Sequence, residues 1–116
     1  MDRKRSGEFG EALACRYLEG LGYLCLEKNY RAQGSEVDLI MQDGDTLVFV
    51  EVKARSGGRF GLGREAVTPN KQQRIIRGAL AYLQAHGRLE GFSRFDVVEI
   101  DLITREATHI PNAFTL

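Results

Sequence analysis

The stretch Gly34–Arg55 constrains this chain most. Two runs rich in β-branched and other apolar residues, Val37-Asp38-Leu39-Ile40-Met41 and Thr46-Leu47-Val48-Phe49-Val50, flank Asp43-Gly44-Asp45, a pattern that predicts a β-hairpin turning at the glycine. Strand side chains alternate between faces, which places Glu36 and Asp38 together on the first strand and Glu51 and Lys53 together on the second. The second strand is apolar on both faces, as a central strand is, so Glu51 is a carboxylate set into a buried position. Like charges brought together inside a sheet need protons, the lysine or a cation to offset them. Carboxylate oxygens are the ligands Mg2+ or Mn2+ takes. A metal held there with a lysine nearby suits phosphodiester hydrolysis. The bland alternative is a structural carboxylate paired with Lys53 or an arginine.

Downstream, seven basic residues (Lys53, Arg55, Arg59, Arg64, Lys71, Arg74 and Arg77) stand against the single acid Glu65. Lysine plus arginine and aspartate plus glutamate each number 16, so the chain does not grip nucleic acid through bulk charge. A basic side next to an acidic side is what a nuclease needs, while a solvated basic face is the competing reading. Ser56–Gly63 is glycine-rich and without periodicity, either a plain connection or a loop whose amides approach phosphates.

The remaining elements follow from periodicity. Met1–Ser6 reads as a mobile basic tail. Gly7–Leu21 is helical, with Phe9, Leu13, Ala14, Tyr17, Leu18 and Leu21 as its apolar stripe. Glu11 lies about 20° from Leu18 around that helix, on the margin of the stripe, so it is either a boundary glutamate or an acid that reaches a site. Tyr23–Tyr30 is a strand, and Arg31–Gly34 turns it into the hairpin. Thr68-Pro69 starts a second helix, which runs to about His86 with Ile75, Ile76, Ala79, Leu80 and Leu83 buried. Lys71 and Gln72 sit on its first turn, where they either meet an anion or are merely solvated. Arg94–Leu102 is a further strand, and Thr108–Ile110 a short edge strand stopped by Pro111. His86 and His109 are read as isolated, without a partner that would make either a ligand or a base, and so as structural or surface residues, and Cys15 and Cys25 as buried free thiols.

The order αβββαββ predicts one α/β domain over residues 1–116, a three-layer arrangement around a central mixed sheet. No apolar run reaches a membrane span and no signal-peptide core is present, so a cytoplasmic protein is expected.

Asp38 and, after twelve intervening residues, Glu51-Val52-Lys53 resemble the Asp…Glu-x-Lys core of the PD-(D/E)XK nuclease superfamily. Val37 stands where that superfamily carries a proline. Together with Gly7-Glu8-x-Gly10-Glu11, Glu36-Val37-Asp38-Leu39-Ile40, Val48-Phe49-Val50, Glu65-Ala66-Val67 with Lys71, Arg94-Phe95-Asp96-Val97-Val98 and Asn112-Ala113-Phe114, nearly the whole chain resembles the YraN family of small nuclease-like bacterial proteins. That family is similar to archaeal Holliday-junction resolvases. The resemblance implies a restriction-endonuclease-like core and a Mg2+- or Mn2+-dependent nuclease acting on DNA, branched DNA included. Asp38 and Glu51 would then be metal ligands, Glu11 a further ligand, Lys53 the residue that positions water, and Glu36 and Gln72 auxiliary. Arg55, Arg59, Arg64 and Lys71 would contact nucleic acid, and cutting both strands of a junction would require a homodimer. A non-catalytic nucleic-acid-binding or adaptor protein on the same fold is the second reading.

Overall fold

The computed structural model describes residues 2–57 and 67–116. Its elements are α1 (Arg3–Gly20), β1 (Leu24–Ala32), β2 (Ser35–Asp43), β3 (Thr46–Arg55), α2 (Pro69–Ala85), β4 (Phe92–Asp101) and β5 (Ala107–Phe114), the expected αβββαββ order. The five strands lie side by side in sequence order. Neighbours joined by tight turns pair antiparallel, and only β3 and β4, connected through α2, run parallel, because a parallel pair needs a crossover long enough to return the chain.

Alternation along the central strands builds a core on each face. Leu47 and Phe49 of β3, with Phe95 and Val97 of β4, pack under Ile75, Ile76, Ala79, Tyr82 and Leu83 of α2. Val48 and Val50, with Val98 and Ile100, pack under Ala14, Cys15 and Leu18 of α1. The result is a three-layer α/β/α core around a mixed sheet. α1 sits close to the sheet at Gly10, where a Cβ would stand 2.7 Å from that of Ala54.

Several boundaries depart from the sequence reading. The basic residues after Asp2 are helical, because the Asp2 carboxylate accepts the Arg5 backbone N–H at 2.8 Å and caps α1. β1 continues through Ala32, and the turn contracts to Gln33 and Gly34, both at positive φ (55° and 70°), as a two-residue hairpin loop prefers. β5 runs past Pro111: its register against β4 slips between Phe95 and Val97, and Pro111 falls in that slip, where no ladder N–H is required of it. Leu21 and Leu80, expected in the core, are exposed, and Gly10, Gly78 and Tyr82 are buried in the helices instead. Among the described residues no helix is long and apolar enough to cross a membrane.

Candidate functional site

The β2–β3 ladder runs from Asp43 paired with Thr46 to Leu39 paired with Val50, and there its register ends. The Val52 backbone N–H beyond that point donates to Oδ2 of Asp38 at 2.8 Å, so a side chain takes over where backbone pairing stops. The strand is irregular here: Val37 and Ile40, three residues apart, both belong to the core under α2. The break leaves Asp38 facing the cleft between β2, β3 and the start of α2.

That cleft, of about 230 Å³, is lined by Glu36, Asp38, Glu51, Lys71, Arg74 and Ile75. Glu51, only 4% exposed, projects from β3 towards α2 as the faces of Leu47 and Phe49 require. Its Oε1 lies 2.8 Å from the Lys71 ammonium. Lys71 reaches it from the first turn of α2, which Thr68 caps by accepting the Lys71 N–H. Burial, and then the nearby Glu51 charge, push the Asp38 carboxyl up to about 8, against the bond from Val52. Glu11 and Glu36 act in the same direction from farther off. Lys53 is pulled below the ordinary lysine range by burial and then by its contact with Lys71. Burial acts on Lys71 the same way, but its bonds to Glu51 and Lys53 outweigh that and raise it.

The cleft is thus an acidic pair offset by an amine pair. The structure brings Asp38, Glu51, Lys53 and Glu36 together, and adds Lys71, read from the sequence as a nucleic-acid contact, as the ion-pair partner of Glu51. Glu11 lies in an adjoining groove with Asn29 and Arg31. Burial raises its pKa most, and a hydrogen bond with Asn29 works against that. Asn29 carries no sequence signal of a site; it adopts φ 52° within β1 and so interrupts the strand beside α1. Gln72 does not reach the acids, because its Nε2 donates to the Val67 carbonyl at 2.9 Å. Arg55 ends β3 in register with Asp101, while Arg59 and Arg64 fall outside the described residues. The donor atoms available are hard carboxylate oxygens, a set that fits Mg2+ or Mn2+. Among the described residues no three His, Cys, Asp or Glu are already gathered around a point that would hold an ion.

The family model described as "Uncharacterised protein family UPF0102" matches residues 10–100. The chain is 47% identical over 113 residues to a UPF0102 protein of Geobacter sulfurreducens, covering 95% of this chain and 88% of that one. It is 40% identical over 116 residues to a UPF0102 protein of a Sulfurihydrogenibium species, covering 100% and 99%. This chain belongs to the UPF0102, or YraN, family. Among solved structures, SfsA of Pyrococcus furiosus in complex with Ca2+ is matched at 16% identity with a TM-score of 0.33, over 99% of this chain and 66% of that one, too distant to carry an argument.

On the opposite face of the sheet this YraN-family chain holds a second polar cluster. Asp96, fully buried on β4, accepts from Arg94 Nε at 3.1 Å and from the Asn112 N–H at 2.9 Å, and its Oδ2 is 2.7 Å from Nε2 of His109. Arg94 also reaches Asp43 at 3.1 Å and the Tyr23 hydroxyl at 2.6 Å. The ring of His109 meets those of Tyr17 and Tyr23 edge-on. His109 is therefore not isolated, contrary to the sequence reading. His86 stacks on Tyr82 and bonds its carbonyl. The cluster ties α1's exit, the β2–β3 turn and the β5 bulge to β4. Cys15 is buried as expected; Cys25 is only half-buried.

Proposed function

We propose that this chain is a metal-dependent nuclease that hydrolyses phosphodiester bonds in DNA. The observation that carries this reading is the half-buried Asp38 and the buried Glu51 brought to one cleft close to Lys53 and Lys71. Two carboxylates placed so that one is driven out of its ordinary range are the arrangement that metal and proton-transfer sites use. Asp38 and Glu51 would hold the ion, with Glu36 and Glu11 adding negative charge around it. Bound there, Mg2+ or Mn2+ would polarise a phosphoryl oxygen and acidify a water. The chain's own groups do the rest: Lys53, with a weakened hold on its proton, orients the attacking water, and Lys71 balances charge at Glu51. Arg74 and the basic residues downstream of β3 hold the polynucleotide.

The second reading is a DNA-binding adaptor without turnover, favoured by the Lys71 ammonium already seated on Glu51. Branched DNA is the substrate class of choice, and a homodimer the assembly that would let two sites cut two strands. Calorimetric titration with Mg2+ and Mn2+, alongside cleavage of linear, flapped and four-way DNA, decides between the readings. Metal binding with cleavage is expected; metal-independent DNA binding without any cleavage would establish the adaptor. Sedimentation as a monomer with and without DNA, together with symmetric junction cutting, would contradict the dimer.

A further inference from the structure

Next to the acidic cleft, and sharing Glu36 and Arg74 with it, lies a wider groove of about 490 Å³ lined also by Arg31, Gly34 and Ser35. Three features there call for a ligand. First, Arg74 projects from α2, exposed, with no acidic partner among the described residues. Second, the Ser35 hydroxyl is withdrawn from solvent and has no hydrogen-bond partner among the described residues, although the residue is only 6% exposed. A buried hydroxyl left unbonded is unfavourable, and a ligand oxygen would remove the defect. Third, α2 sits close to β2 at this point: a Cβ on Gly78 would stand 3.2 Å from Val37 Cγ2 and 3.5 Å from Ser35 Cβ. Arg74 is one helical turn before Gly78, so the approach that Gly78 permits also puts Arg74 and Ser35 on the walls of one groove.

The charge of the groove suits an anion. Glu36 is its one acid, and Arg31 approaches it at 3.6 Å in an exposed pair, which leaves Arg74 as the excess positive charge. Ser35 precedes Asp38 by three residues, about 10 Å along the strand. A polynucleotide with one phosphodiester against Asp38 and Glu51 has a further phosphate of the same strand within that distance.

We propose that the Ser35–Arg74 groove binds a second phosphate of the strand whose reacting phosphodiester lies in the acidic cleft. Arg74 supplies the guanidinium, Arg31 an outer charge, and Ser35 a hydroxyl that turns about χ1 onto a phosphate oxygen. The inference rests on the nuclease reading and adds to it a direction: the strand runs along β2 from Asp38 towards Ser35, so one end of the substrate is distinguished from the other.

The test uses the full chain, isotope-labelled for NMR, and three probes: inorganic phosphate, a thymidine dinucleotide with its single internal phosphate, and the same dinucleotide with an added phosphate at one end or the other. Inorganic phosphate is expected to shift the Ser35 amide and the Arg74 side chain. An added phosphate at one end only should tighten dinucleotide binding about tenfold, the size of one charge-assisted contact. Arg74→Ala should abolish that gain and Ser35→Ala reduce it, whereas Arg16→Ala, at an exposed position on α1, should leave it intact. Equal affinity for the one- and two-phosphate dinucleotides, or a gain retained in Arg74→Ala, overturns the proposal. Shifts at Asp38 and Glu51 with none at Ser35 overturn the groove and leave the nuclease reading standing. Shifts at Ser35 with inorganic phosphate but no dinucleotide binding at Asp38 remove the nuclease reading, and with it the assignment to a polynucleotide.

Discussion

Glu51 shows how much one residue is asked to do. Placed on an interior strand and 4% exposed, it is tolerated because Lys71 offsets its charge at 2.8 Å. Under the nuclease reading, Glu51→Gln keeps the shape and loses the charge, so metal affinity should fall and turnover drop by about 100-fold or more. Lys53→Ala should lose turnover by a similar factor and keep metal affinity, because the amine is placed for the water and not for the ion. Calorimetry and single-turnover cleavage on the same preparations separate the two effects; equal activity of either variant and the wild type would favour the adaptor. Asp96 carries the opposite assignment, since all its bonds are internal. Asp96→Asn should cost about 3–5 kcal/mol in chemical denaturation, as removing one partner of a buried ion pair does. Burial pushes Asp96 up, but the bonds from His109, the Asn112 N–H and Arg94 outweigh it and hold the carboxyl below its ordinary value. With the folded value below the unfolded one, the unfolded chain takes up the proton first as pH falls. The stability that Asp96 contributes is therefore complete above about pH 4 and is lost as pH drops through the folded value. As pH falls below about 4 the wild type should lose more stability than Asp96→Asn, read as denaturation midpoints at each pH.

At the scale of elements, the seam between α1 and β3 is set by two small residues. Gly10→Ala places a methyl against Ala54 with no room for it, so α1 must lift, and about 1–3 kcal/mol should be lost. Ala54→Gly in the same chain should recover part of that loss, and failure of the pair to recover would mean that the seam relaxes elsewhere. The elements themselves were readable because their signals are local: the Asp-Gly-Asp turn, the Thr-Pro helix start and the doubly apolar β3 each announce themselves within a few residues. Asp38, Glu51 and Lys53 were readable for the same reason, as acids and a lysine interrupting apolar strands. What escaped depends on partners distant in sequence. The His109–Asp96 bond requires the β5 bulge, and a register slip has no signature in composition. Gln72 sits on a helix's first turn, which offers polar groups in two directions, and here its side chain bonds the Val67 carbonyl. The helical start at Arg3 was a signal passed over: Asp2 is an ordinary N-cap, hidden among charges that look like a tail. Asn29 could not be found from its neighbours at all, since its role comes from standing next to α1.

For the whole molecule, α2, β2 and β3 share one electrostatic problem, which Lys71 answers in this structure and which, under the nuclease reading, a divalent ion would answer instead. An ion that binds only the folded chain stabilises it by about 2.7 kcal/mol at a hundred times its dissociation constant. For a chain of this size each kcal/mol raises Tm by about 4 °C, so saturating Mg2+ or Mn2+ should raise it by about 10 °C. Part of the intrinsic gain is spent moving the ammonium off Glu51. Lys71→Met removes that competitor and leaves Glu51 buried without its partner. Its metal-free Tm should therefore fall below that of the wild type, and its rise on adding metal should exceed the wild type's. Glu51→Gln should show little rise of its own, which ties the effect to this carboxylate. An unchanged wild-type Tm at millimolar Mg2+ and Mn2+ would remove the ion from the cleft. A rise of equal size in Lys71→Met and wild type would show that the ion binds without displacing the lysine, and that the two cations occupy the cleft together.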